Sequence, residues 1–129
     1  MNSRFLIDTY AWIEYSDGTE KGNSVRKIIN NENNKIYTSF ICISEIISKA
    51  RRNGINDVEQ FEMITNISEV IFPDINDCKE VGLIHAMMKK KEKDFGLADA
   101  FVIQAAKKMN ARIVTGDPHF KLVKGSIMI

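Results

Sequence analysis

Arg4-Phe5-Leu6-Ile7-Asp8 is a short apolar run that closes on a carboxylate. A run of this length, ending on an acid, reads as a buried strand. The sequence beyond it alternates helices with further short strands. Thr9 to Tyr15 is helical, Asp17-Gly18 is a turn, and Thr19 to Asn30 carries Val25, Ile28 and Ile29 at helical spacing. Lys35 to Thr38 is a second strand, and Ser39 is placed to cap a helix that runs to Asn53, with Gly54 just past its end. Asn56 and Glu59 open a helix to about Asn66, and Glu69 to Phe72 is a third strand. Asn76 to Lys91 is helical, Glu92 to Gly96 is a polar break, and Leu97 to Asn110 is a strongly apolar helix. Arg112 to Thr115 is a strand, Gly116-Asp117-Pro118 a turn, and Ser126 to Ile129 a last strand. Short strands separated by one or two helices imply an α/β fold with parallel pairing and helices covering both sheet faces. Right-handed crossovers then bring the strands' C-terminal ends to one edge, beyond which ligands bind in open α/β sheets.

The chain has 129 residues, 44% of them hydrophobic, and shows no internal repeat, linker or composition shift, so residues 1–129 are expected to form a single domain. That size supports a core without disulfide or metal staples. Two Pro and seven Gly exclude a low-complexity or collagen-like chain. The apolar runs fall far short of the roughly 18 residues a membrane span needs. Met1-Asn2-Ser3-Arg4 leads into the first strand without the apolar stretch of a signal peptide. Cys42 and Cys78 are isolated, as free thiols of a reducing compartment are, so a cytoplasmic protein is expected. A net charge of +1 announces no global basic field. Local basic clusters do occur, notably Arg51-Arg52 and Lys89-Lys90-Lys91. Solvated helix ends are the plain reading of these, and RNA phosphate contacts the sharper one.

Four acids carry the chemistry. Asp8 ends the first strand and Asp117 follows the Arg112–Thr115 strand, so parallel central strands would aim both carboxylates into one crevice. Each has a plain alternative: Asp8 as a helix cap, Asp117 as turn chemistry before Pro118. Asp99 lies in Leu97-Ala98-Asp99-Ala100-Phe101-Val102-Ile103, where a carboxylate needs a partner, a cation or the helix macrodipole. Glu45 lies off the stripe of Phe40, Ile43, Ile46, Ile47 and Ala50, and pairing with Lys49 would explain it; Ile41, also off that stripe, hints at a site wall or an oligomer contact. At 4 Å each like-charge pair costs about 1–4 kcal/mol. Mg²⁺ or Mn²⁺ at the centre removes that cost, and Thr9 and Thr115 offer hydroxyls for water on the ion. Such a centre suits phosphodiester hydrolysis.

Phe5-Leu6-Ile7-Asp8-Thr9, Ser44-Glu45-Ile46, Leu97-Ala98-Asp99-Ala100 and Val114-Thr115-Gly116-Asp117-Pro118-His119-Phe120 resemble, in order and spacing, the PIN-domain ribonucleases, most closely the VapC-type toxins of toxin–antitoxin pairs. The resemblance runs from Phe5 to Phe120. It implies a three-layer α/β/α sandwich with a mainly parallel sheet, Mg²⁺- or Mn²⁺-dependent endoribonuclease activity, a homodimer, and a small antitoxin bound beside the site. It matches Asp8, Glu45, Asp99 and Asp117 to the acidic site, and Thr115 to the hydroxyl before the last acid. Asp94 has no counterpart and is left as a helix cap. Other readings are a PIN nuclease of RNA processing or ribosome maturation, and a catalytically silent binding module. A receiver-like domain wants paired acids at the first strand's end, and a haloacid-dehalogenase-like phosphatase wants an acid where Tyr10 stands.

Overall fold

The computed structural model describes residues 3–129. Its elements run β1 (Arg4–Ile7), α1 (Thr9–Asp17), α2 (Glu20–Asn30), β2 (Lys35–Ser39), α3 (Phe40–Arg52), α4 (Asp57–Ile67), β3 (Glu69–Ile71), α5 (Ile75–Lys91), α6 (Leu97–Met109), β4 (Arg112–Thr115), a 3-10 helix (Pro118–Leu122) and β5 (Ile127–Met128). Among these residues the strands form one sheet in the order β3-β2-β1-β4-β5, with every neighbouring pair parallel. The fold is the α/β sandwich that the strand and helix alternation predicts. Because β2 and β3 extend to one side of β1 while β4 and β5 lie on the other, the strand order reverses between β1 and β4. That is the switch point at which a crevice opens beyond the strand ends. Ile7 pairs with Val114 across it, and the Asp8 N–H donates to the Val114 carbonyl at 3.2 Å.

The main core explains why β1 is central. Leu6 and Ile7 are fully buried among Trp12, Val25, Tyr37, Val102 and Val114. Burial of each aliphatic side chain contributes about 1.5–3 kcal/mol. A smaller core joins Val81 and Met88 of α5 to Phe95 and Ala100. Buried Thr38 accepts from the Trp12 indole at 3.0 Å and meets Ser68 at 2.7 Å, so its hydroxyl is satisfied.

Several details depart from the sequence reading. Ser39 holds the cap position of α3, but its hydroxyl makes no cap bond. The stretch 92–96, expected to be a polar break, carries Phe95, which is fully buried. The expected turn at Gly116-Asp117-Pro118 is the start of the 3-10 helix, with Asp117 as its cap. Asp94 caps nothing; Gly96 is the residue at the start of α6. Ile41, read as lying off the helix stripe, packs half-buried against the main core, so the oligomer hint drawn from it weakens.

Candidate functional site

Asp8, Thr9, Glu45, Asp99 and Asp117 line one cleft of about 230 Å³ at the crevice edge. They arrive from four places: the β1–α1 junction, the middle of α3, the first turn of α6 and the end of β4. Asp8 is 5% exposed, and its Oδ1 accepts the Ala11 N–H at 2.9 Å, capping α1. The cap and the site readings of Asp8 therefore hold together. Asp99 Oδ2 accepts the Gly96 N–H at 3.2 Å. Asp117 Oδ1 accepts the His119 N–H at 2.9 Å. Each of these aspartates thus has a backbone tether that fixes its direction.

The two threonines act on acids directly. Thr115, fully buried, accepts the Asp117 N–H at 2.9 Å and hydrogen-bonds the Asp8 side chain. Its hydroxyl ties the carboxylate ending β1 to the segment following β4. Thr9 Oγ1 donates to Glu45 Oε1 at 2.7 Å. The exposed Glu45 is therefore held toward the cleft by Thr9.

The electrostatics of the cleft are unfavourable as the chain alone arranges them. Burial pushes the Asp8 carboxyl up to about 7, with Asp117 and Asp99 adding to the rise, while Thr115 and the Ala11 N–H oppose it. Burial also raises Asp99 and Asp117 adds to the rise, while the Gly96 N–H and the His119 ring oppose it. Beside them Cys42 is fully buried and its thiol is pushed up to about 12 by that burial, which makes it a neutral packing group and not a nucleophile. Clustered carboxylate oxygens of this kind suit a hard divalent cation. One nitrogen joins them: the buried His119 Nδ1 has no hydrogen-bond partner and lies 3.6 Å from both Asp99 Oδ2 and Asp117 Oδ1. The donor set therefore fits such an ion.

Sequence reasoning quoted His119 without giving it a role. The available signal was its spacing two residues after Asp117, which matters only once the 3-10 helix turns the ring back. The close packing of Tyr10 on Gly116 was also missed: a Cβ on Gly116 would stand 2.1 Å from the Tyr10 ring. The basic clusters divide. Arg52 lines a shallow groove with Thr9 and Glu45, whereas Arg51 pairs with Asp57 at 3.5 Å. Lys89, Lys90 and Lys91 end α5 and are not part of the cleft lining, with Lys89 Nζ donating to the Lys93 carbonyl at 2.7 Å.

A family model for the PIN domain matches residues 5–126. The search of curated proteins returned no match. Among solved structures, the chain is similar in fold to VapBC-1 from nontypeable Haemophilus influenzae, at 21% identity and a TM-score of 0.74, covering 98% of this chain and 96% of that one. VapBC from Salmonella typhimurium bound to DNA matches at 20% identity and a TM-score of 0.74, covering 100% and 98%. Mycobacterium tuberculosis VapC20, described as a sarcin-ricin loop cleaving toxin, matches at 13% identity and a TM-score of 0.76, covering 97% and 98%.

Proposed function

Because the chain belongs to the PIN-domain family, we propose that it is a divalent-cation-dependent endoribonuclease and the toxin of a toxin–antitoxin pair. One observation carries the reading: four acids from separate elements meet in one cleft, where Asp8 is forced up to about 7. Asp8, Asp99 and Asp117, with Glu45, would hold Mg²⁺ or Mn²⁺. When bound, such an ion supplies Lewis-acid stabilisation of the charge that develops on a phosphodiester and makes water more acidic. The chain supplies the rest. Glu45, exposed and held by Thr9, is placed to orient a water and take its proton. Thr115 keeps Asp8 and Asp117 in fixed relation, so the acids are preorganised. Arg52, on the groove that starts at Thr9 and Glu45, is the best placed of the basic residues for an RNA phosphate, ahead of Arg51 and Lys89 to Lys91.

The partners follow the same reading. A second groove, of about 290 Å³, adjoins the cleft, shares Ile13 and Lys49 with it, and is walled by Ile46, Ala50 and Ile55. It would take an apolar segment of a small antitoxin beside the acids. A homodimer would cover the outward face of α5, where Ile75 is 82% and Leu83 65% exposed. No helix among the described residues is long and apolar enough to cross a membrane. A cytoplasmic site of action agrees with the two free thiols, Cys42 and Cys78.

The test is cleavage of a structured RNA by the purified protein, with Mg²⁺, with Mn²⁺ and with chelator, mapping the ends produced. Discrete cuts that need the metal and vanish in Asp117→Asn support the reading. RNA left intact under all three conditions, by protein shown free of antitoxin, would overturn it.

A further inference from the structure

We infer that His119 Nδ1 is a ligand of the cation held by Asp99 and Asp117, and that this nitrogen turns the site's preference from Mg²⁺ toward Mn²⁺. The inference rests on the proposed cation site and deepens it. Two buried side-chain polar atoms lack a hydrogen-bond partner among the described residues, His119 Nδ1 and Ser126 Oγ, and the first faces two carboxylates. A buried unpaired polar atom costs free energy, so its position asks for a partner. At 3.6 Å from Asp99 Oδ2 and 3.6 Å from Asp117 Oδ1, the nitrogen is too far for a hydrogen bond to either acid. Both contacts become ion pairs when the imidazole is protonated, so the competing arrangement is an imidazolium between the acids. Three donors around one ion stand apart instead: with bonds of about 2.1 Å, neighbouring ligand atoms sit roughly 3.0–3.4 Å from one another. The ligand atoms of Asp99, Asp117 and His119 already lie within 4.8 Å of one another.

The ring is also fixed in place. The His119 backbone N–H is committed to Asp117 Oδ1 at 2.9 Å, which anchors the residue, and the ring packs at 6.1 Å, centroid to centroid, from the buried Phe95. Asp117 therefore serves twice, as cap of the 3-10 helix and as neighbour of the imidazole. The chemistry then selects the ion. Mg²⁺ demands oxygen and holds its waters, whereas first-row transition ions accept imidazole nitrogen. An all-oxygen site would not discriminate in this way.

Binding of Mg²⁺ and of Mn²⁺ to the metal-stripped protein, followed by calorimetry, tests this with no reference to activity. Wild type should bind Mn²⁺ at least about tenfold more tightly than Mg²⁺. His119→Asn places an amide group near the position of Nδ1; it should lose about tenfold in Mn²⁺ affinity while Mg²⁺ affinity stays within about threefold. Electron spin echo spectroscopy of Mn²⁺ bound to wild type should show coupling to a directly bound ¹⁴N, a readout that needs no variant to fold. Mn²⁺ binding without that coupling, or equal loss of both metals in His119→Asn, overturns the nitrogen ligand and leaves the nuclease reading standing. Tighter binding of both ions in the variant would show that the imidazole acts as a competing cation, which also overturns it. Failure of wild type to bind either ion overturns the cation site itself, and the inference with it.

Discussion

Burial drives the Asp8 carboxyl from its ordinary 3.8 up to about 7, against the pull of Thr115 and the Ala11 N–H. Without metal, the folded protein keeps this proton between those two values while the unfolded chain has lost it. The contribution of Asp8 to stability is therefore fully present below pH 3.8, falls as pH rises, and is gone above about 7. Asp8→Asn should flatten that fall in chelator and leave the variant more stable above pH 7, by up to about 4 kcal/mol at about 1.4 kcal/mol per pH unit. Asn preserves the cap on α1. Denaturant titrations across pH 4–8 measure this, and equal slopes for both proteins would contradict it. Thr9→Val frees Glu45 and should lower RNA cleavage about tenfold, equivalent to about 1.4 kcal/mol of barrier, with little change in melting temperature. Unchanged cleavage would mean that Thr9 does not position Glu45. At this scale, the aspartates were legible because strand ends and an apolar helix are costly or telling places for charge. Thr115 was legible as a hydroxyl beside the last acid, but its bonds to Asp8 and Asp117 were not, nor was any role for His119, because these are set by contacts across β1, β4 and the 3-10 helix.

The helices show what local sequence can and cannot specify. α4 begins where Asn56 and Glu59 say it should, with Asn56 accepting the Glu59 N–H at 3.2 Å. α5 begins one residue before the apolar pattern suggests, because Asp74 and Asp77 form a capping box at 2.8 and 3.0 Å. Phe95 could not be read as core from its polar neighbours; it is buried because α5 and α6 close over it. Gly22 looks like a weak point within α2, since Ala is favoured there by about 1 kcal/mol on helix propensity. The structure reverses that expectation. A Cβ at Gly22 would stand 2.1 Å from the Glu14 carbonyl oxygen, which is backbone and cannot turn aside. Gly22→Ala should therefore destabilise by about 1–3 kcal/mol by prising α1 from α2. A higher melting temperature for the variant would refute the close approach of the two helices.

For the whole molecule, the parallel sheet with its switch point between β1 and β4 brings distant acids to one cleft, and α5 leaves several apolar side chains exposed. These are Ile75, Leu83 and Met87, and a Cβ at Gly82, beside Leu83 in the chain, would meet nothing within 4 Å. Gly82→Glu should thus leave the fold intact and convert a dimer to a monomer in light scattering; a wild type that is monomeric at high concentration would remove the dimer. The central claim is that the fold forces together carboxylates whose repulsion a divalent cation relieves. Thermal unfolding of wild type and Asp99→Asn, in chelator and with saturating Mn²⁺, tests it most directly. Asn can still accept the Gly96 N–H. In chelator the variant should be as stable as wild type or more so. With metal at about 100 times its dissociation constant, wild type should gain about 2.7 kcal/mol and the variant far less. A variant destabilised in chelator by the roughly 0.3–1 kcal/mol of a lost helix-end charge, beside a wild type that metal does not stabilise, would contradict the account.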